Sequence, residues 1–210
     1  MTKFLIVDDH VAVRKGLRQM LGEEYPDAAF AEADDASRAL QKVIQEDWDL
    51  VLIDVTLPGR NGIDALTDLR KARPELAVIV LSMHPEIEFA VRALKAGAAG
   101  YLTKQSAAEE LFDAVRKALR GERYITAALA AQLADTVSGK KTARPHESLS
   151  DREFQILLLL AQGKPVKEIA GALCLSPKTV STYRARVLEK LHLNSTVDLA
   201  RYALEHQLIE

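Results

Sequence analysis

The chain has 210 residues, 48% hydrophobic and 28% charged, the balance of a folded water-soluble protein long enough for two domains. Its 28 basic and 30 acidic side chains leave a formal charge of −2, so a polyanion-binding surface, if there is one, must be local. One cysteine excludes an internal disulfide or a multi-cysteine zinc site, and the apolar runs are too short for a membrane span or a secretory leader, so a cytoplasmic protein making no membrane contact is expected.

Over roughly the first 120 residues, short apolar runs alternate with amphipathic segments. KFLIV at 3–7, DAAFAEA at 27–33, DLVLID at 49–54, AVIVLS at 77–82 and AGYLT at 99–103 predict strands. Helical spacing follows each, at 11–22, 35–46, 61–72, 86–96 and 106–120. Strand–helix alternation repeated in this way predicts an α/β doubly wound fold with a five-stranded parallel sheet covered on both faces. Gly121 marks a stop. The alanine-rich stretch 125–137 predicts one more short helix, and SGKKTARPHES at 138–148 reads as an exposed linker with almost nothing to bury. Beyond Leu149 the strand signal vanishes and four helices are expected, at about 151–162, 165–172, 177–191 and 196–206. Ser150 and Ser176 serve as N-caps, Glu153 completes a capping box and Pro177 takes the first helical position. The expected division is a first domain over 1–121, a connecting segment with a short helix over 122–147 and an all-α domain over 148–210. Cys174, among apolar helical positions, is expected to be a small buried hydrophobe.

In a doubly wound sheet, ligands gather beyond the carboxyl ends of the strands. Those ends carry Asp8 and Asp9 on the first strand, Asp54 on the third, Ser82 on the fourth, and Thr103 and Lys104 on the fifth. Three crowded carboxylates call for a cation, and oxygen-only ligands suit Mg2+. Lys104 supplies a positive charge for phosphoryl oxygens and Ser82 a hydroxyl donor. Taken singly, each has an ordinary explanation as a cap, a turn former or a solvated loop charge; capping alone does not put them all at the same ends of four strands.

VDDH, LIDVTLPGRNG, VLSMH and AGYLTK resemble the receiver domains of response regulators across roughly residues 1–120. The resemblance implies that Asp54 is the phosphoacceptor, a nucleophile toward the phosphohistidine of a sensor kinase. It also implies that Asp9 and Asp54 ligate Mg2+ directly, Asp8 through water and Thr56 through its backbone carbonyl. Ser82 and Tyr101 then occupy the switch positions, and Pro58, Gly59 and Gly62 shape the adjoining loop. Where many receivers have proline after the lysine, this chain has Gln105, so a trans bond or a reshaped loop is expected after Lys104.

The segment from Leu149 onward resembles the LuxR-type DNA-binding domain, and with the receiver the whole chain resembles the NarL/FixJ class of transcription regulators. Glu168 to Leu173 would be the first helix of a helix-turn-helix, Cys174 to Pro177 the turn and Thr179 to Leu191 the recognition helix, with Val180, Val187, Leu188 and Leu191 buried. Ser181, Thr182 and Ala185 are the base-facing candidates, and Lys178, Thr179, Tyr183, Arg184 and Arg186 the phosphate contacts. With Lys190 they complete the expected interface, opposed within the helix only by Glu189; Lys140, Lys141 and Arg144 form a second local cluster of positive charge. Tyr183 stands where many members carry histidine, and Pro165-Val166 replaces a commoner small polar pair.

The expected function is phosphorylation-controlled transcription regulation, without enzymatic activity, through double-stranded promoter DNA and a cognate sensor histidine kinase, with homodimerisation on phosphorylation. An aspartyl-nucleophile phosphatase would place its nucleophile on the first strand in an Asp-x-Asp pattern, but the first strand here ends Asp-Asp-His. A constitutive DNA binder would not need the acidic cluster.

Overall fold

A computed structural model describes residues 1–83, 87–126, 129–130, 144–206 and 208–209. The chain forms two compact units, Met1–Leu133 and Ala134–Glu210.

The first unit runs β1 (Lys3–Val7), α1 (Val11–Glu24), β2 (Ala29–Ala33), α2 (Ala36–Gln45), β3 (Leu50–Asp54), α3 (Gly62–Ala72), β4 (Ala77–Ser82), α4 (Ile87–Lys95), β5 (Gly100–Thr103) and α5 (Ala107–Leu119). The strands make one five-stranded sheet in the order β2-β1-β3-β4-β5, with every pairing parallel. This is the expected doubly wound fold, its element ends displaced by only a residue or two. Every residue of β3 is buried, as is β1 from Phe4 onward, because helices cover both faces. On one face Phe4, Ile6, Leu50, Leu52, Ile79 and Leu81 pack with Leu17 and Leu21 of α1 and Leu111 and Val115 of α5. The alternate side chains Leu5, Val7, Val51, Ile53, Val78 and Val80 are equally buried on the other. Strand order reverses between β1 and β3, so the crevice of the fold opens where these two strands end, at Asp8 and Asp54.

The loop after β3 is packed hard against that crevice. Gly62 N–H donates to the Val55 carbonyl at 2.8 Å, and a Cβ on Gly62 would lie 2.0 Å from the Asp54 carbonyl oxygen. Only glycine permits this approach. Asn61, buried, accepts from Ile63 N–H at 2.8 Å and caps α3. The helical signal stops at Gly121 as expected, but the chain then stays with the unit: Tyr124 N–H donates to the Ala99 carbonyl at 2.7 Å and its hydroxyl to Glu110 at 2.9 Å. Burial, and after it the bond to Glu110, pushes the Tyr124 hydroxyl up to about 12.

The second unit holds a 3-10 turn at Pro145–Ser148, then α6 (Asp151–Ala161), α7 (Val166–Ala172), α8 (Pro177–Lys190) and α9 (Thr196–Glu205). The capping box is present: Ser150 N–H donates to Glu153 Oε2 at 2.8 Å and Glu153 N–H to Ser150 Oγ at 3.3 Å. Ser176 caps α8 by accepting from Thr179 N–H at 3.0 Å, with Pro177 in the first helical position. Two expectations are corrected. Residues 145–148 are not a linker with nothing to bury: Pro145, Glu147 and Ser148 are exposed, but His146 is buried with Nδ1 2.9 Å from the Tyr202 hydroxyl. Nor is Cys174 a buried helical position: it is exposed at φ 51°, just past the end of α7. Its N–H bonds the Gly171 carbonyl while Leu175 N–H bonds that of Ala170, the paired bonds of a left-handed helix C-terminus. Most of the alanine-rich helix expected at 125–137, and linker residues 138–143 with Lys140 and Lys141, lie outside the described residues.

Candidate functional site

Asp8, Asp54 and Ser82 are buried at the carboxyl ends of β1, β3 and β4. Lys104, directly after β5, reaches into the same crevice, its Nζ 2.7 Å from Asp8 Oδ2 and 3.0 Å from Asp54 Oδ2. Its backbone N–H donates to the Ser82 carbonyl at 2.7 Å, which fixes where its side chain starts. Asp54 Oδ1 is buried and has no hydrogen-bond partner among the described residues. Burial, reinforced by the Asp8 charge, pushes the Asp54 carboxyl up to about 6; the Lys104 ammonium and the Thr56 N–H hold it back from going further. For Lys104, burial disfavours the charge, but two carboxylates outweigh it and the ammonium sits above its ordinary range.

Ligand atoms of Asp8, Asp9, His10 and Asp54 lie within 4.8 Å of one another. An orphaned carboxylate oxygen inside a cluster rich in carboxylates fits a hard divalent cation such as Mg2+. The crevice thus brings together Asp8, Asp9, Asp54 and Lys104. Thr56 follows on the β3 loop, bridged to Asn61, and Tyr101 is buried on β5 opposite Val80. No described peptide bond is cis, so the bond after Lys104 is trans. In place of the missing proline, Thr103 Oγ1 accepts from Ser106 N–H at 3.0 Å and closes the loop.

Two residues of the site escaped the sequence reading. Arg14 donates to the Asp8 carbonyl at 2.6 Å and to Glu32 at 2.8 Å, anchoring the end of β1. His10 turns its ring to the carboxylates, Nδ1 being 2.7 Å from Asp9 Oδ1. Its only signal was its place immediately after the paired aspartates.

The second candidate surface is α8. Val180, Val187 and Leu191 are buried and Leu188 half-buried, so the expected inner face is present. Lys178, Ser181, Thr182, Ala185 and Arg186 are exposed together, while Thr179, Tyr183 and Arg184 are half-buried. The Ser181 hydroxyl donates to the Pro177 carbonyl at 2.9 Å and the Thr182 hydroxyl to that of Lys178 at 3.0 Å. Both therefore spend their donors on their own helix and offer lone pairs outward. Arg186 stands 5.9 Å from the centre of the Tyr183 ring, and the two residues line a shallow cleft of about 290 Å3 with Lys178, Thr179 and Thr182. Lys190 is drawn away from this group: its Nζ is 2.6 Å from Glu153 Oε2. Burial disfavours the Glu153 charge, but Lys190 and Ser150 more than compensate and hold its carboxyl below the usual range.

The profile of the response regulator receiver domain matches residues 4–116, and that of bacterial regulatory proteins of the luxR family matches residues 147–203. Response regulator GacA of Pseudomonas aeruginosa is 40% identical over 211 residues, spanning 100% of this chain and 99% of GacA. Response regulator UvrY of Escherichia coli is 37% identical, spanning 99% of this chain and 96% of UvrY. Among solved structures, RcsB of Salmonella enterica serovar Typhimurium, bound to promoter rprA with the phosphomimetic BeF3-, matches with a TM-score of 0.64 and 26% identity over 96% of this chain and 97% of RcsB. Among the described residues no helix is long and apolar enough to cross a membrane. With a receiver crevice at the end of its sheet, an exposed basic helix in its second unit and full-length relatives on both counts, the chain belongs to the response regulators that join a receiver domain to a LuxR-type DNA-binding domain.

Proposed function

We propose that Asp54 is the phosphoacceptor of this transcription regulator and that α8 carries the promoter-DNA contacts under its control. The supporting observation is Asp54 Oδ1, a buried carboxylate oxygen with no hydrogen-bond partner among the described residues, while Lys104 stands 3.0 Å from Oδ2. With its carboxyl at about 6, Asp54 is largely ionised at neutral pH. Oδ1 attacks the phosphorus of a sensor kinase's phosphohistidine; the O–P bond forms as the N–P bond breaks, and the imidazole leaves with the kinase. Asp8, Asp9, Asp54 and the Thr56 carbonyl would hold Mg2+, which when bound shields the carboxylate from the incoming phosphoryl charge. Lys104 pairs with a phosphoryl oxygen and the Ser82 hydroxyl donates to another. Ser82 and Tyr101, on neighbouring strands, carry the change away from the site by biasing an existing equilibrium. The protein acts on its own carboxylate and is a regulator, not an enzyme.

On DNA, Lys178, Thr179, Tyr183, Arg184 and Arg186 would hold phosphates, and Ser181, Thr182 and Ala185 would face base edges. One helix-turn-helix makes few base contacts, so two phosphorylated chains binding as a homodimer on paired half-sites supply the affinity. Sensing then belongs to residues 1–121 with Tyr124 bonded onto them, and DNA binding to 148–210 with His146 packed onto them, the rest of 122–147 joining the two in a protein working in the cytoplasm.

The test is intact-mass analysis after acetyl phosphate and Mg2+, beside selection of bound fragments from the organism's own sheared DNA. The wild-type chain should gain one phosphoryl group and retain promoter fragments, and Asp54→Asn should gain none. Uptake by the Asn variant, or DNA retention unchanged by phosphorylation, would overturn the assignment.

A further inference from the structure

His10 occupies the N-cap of α1, where a side chain ordinarily receives the helix's unpaired N–H groups, yet its imidazole makes no capping hydrogen bond. The ring instead faces the acidic crevice. Its backbone N–H donates to Asp8 Oδ1 at 2.8 Å, while Nδ1 lies 2.7 Å from Asp9 Oδ1 and 3.2 Å from Asp8 Oδ1. The donor atoms of Asp8, Asp9, His10 and Asp54 fall within 4.8 Å of one another. Opposite ligands of a single small cation stand roughly 4 Å apart, so the set is close to what one ion needs. Independently of His10, Asp54 Oδ1 is a fully buried acceptor in this cluster with no hydrogen-bond partner among the described residues, a position that a cation fills.

We propose that His10 Nδ1 is itself a ligand of the divalent ion, so that three carboxylates and one imidazole favour a first-row transition ion such as Mn2+ over Mg2+. This role rests on the metal-site reading under Proposed function and adds a nitrogen donor to it. Imidazole is a borderline ligand that binds transition ions well, whereas Mg2+ prefers oxygen and gives up water reluctantly. To coordinate through Nδ1 the neutral ring carries its proton on Nε2. The His10 side chain is 65% exposed, so Nε2–H finds water without needing a second protein group. Before the ion arrives, Nδ1–H donates towards Asp9 and Asp8 and holds the ring at the crevice; the ion then takes the place of that proton, which passes through water to Nε2, so that little further ordering is required.

The experiment uses the full-length chain and the metal alone. Mn2+ binding is followed by loss of the free-ion electron paramagnetic resonance signal, and ligand identity by electron spin echo modulation of bound Mn2+; Mg2+ affinity is read from its displacement of Mn2+. The wild-type protein should show nitrogen modulation. His10→Ala, at an exposed position without a capping bond, should lose that modulation and bind Mn2+ about tenfold more weakly, while Mg2+ affinity changes by less than about threefold. Bound Mn2+ without nitrogen modulation, or modulation that survives in His10→Ala, would overturn the nitrogen ligand and leave the carboxylate site standing. Failure of the wild-type chain to bind Mn2+ or Mg2+, or binding indifferent to Asp9→Ala and Asp54→Asn, would remove the metal site and the ligand together.

Discussion

The two units handle charge in opposite ways. At the end of the sheet, Asp8, Asp54 and Lys104 come from the ends of three separate strands and meet out of solvent, so burial and its neighbours set the protonation of Asp54 and of Lys104. Along α8, Lys178 and Arg186 sit in water on one helix, and no shape beyond the helix brings them together. Chemistry in the first unit is therefore a product of packing, and disturbing it should move stability as well as function. In the second it is a product of residue order, and most changes should alter affinity alone. The Lys190–Glu153 pair is the exception, because it ties the basic helix to a buried carboxylate.

The sharpest way to break this contrast is Gly62→Ala. The added Cβ would stand 2.0 Å from the Asp54 carbonyl oxygen, 2.8 Å from its carbonyl carbon and 2.9 Å from Val55 Cα, all backbone atoms with no rotamer to yield. The strand end must shift, at a cost of about 3 kcal/mol or more, and phosphoryl uptake should fall with it. The chain's single tryptophan, Trp48, lies in the first unit and reports its unfolding by fluorescence. A Gly62→Ala chain with unchanged urea midpoint and normal labelling would show that the crevice does not depend on tight packing.

The same contrast governs what could be read from the sequence. Strands were legible because buried parallel strands are continuous apolar runs, and the acidic crevice because fold topology alone sends Asp8, Asp54 and Lys104 to one edge. The inner face of α8 was legible from the spacing of Val180, Val187 and Leu191. What escaped was side-chain commitment across elements. Ser150 and Glu153 announce a capping box, but nothing local reveals that Lys190 joins it. His146 looked like linker because its partner, Tyr202, lies far along the chain. Cys174, although its place in the turn was legible, looked buried because an exposed left-handed helix end is normally announced by glycine.

A smaller effect, of the opposite sign, is expected from Asp54→Asn. The folded protein holds the Asp54 proton more tightly than the unfolded chain does, its carboxyl standing at about 6. Its stabilising contribution is therefore complete below the ordinary carboxylate range and is lost as pH rises through about 6. The amide removes that loss. With chelator present at pH 8, Asp54→Asn should exceed the wild type by up to about 3 kcal/mol, an advantage that fades towards pH 4. Added Mg2+ should narrow the gap by stabilising the wild type. A variant less stable than wild type at pH 8 would mean that Lys104 and its partners outweigh burial.

The smallest effect tests the exception. Glu153 is buried and its carboxyl is held below the usual range by Lys190 and Ser150 despite burial, so its contribution is present above the unfolded value, near 4.3, and lost as pH falls through the folded one. Glu153→Gln keeps an acceptor for the Ser150 N–H but removes the charge that Lys190 pairs with. Because the Lys190 side chain is 43% exposed, solvent screens much of the attraction, and the expected loss at pH 7 is about 1 kcal/mol, vanishing near pH 3. Trp48 fluorescence should not register it, whereas the circular dichroism transition of the helical unit should. The substitution also frees the Lys190 ammonium to reach a phosphate. If it does so, the dependence of DNA affinity on salt should steepen by about one counterion relative to wild type. A stability loss that persists unchanged to pH 3, with an unaltered salt slope, would mean that the carboxylate shapes the helix end sterically and that Lys190 takes no part in the basic surface with or without its partner.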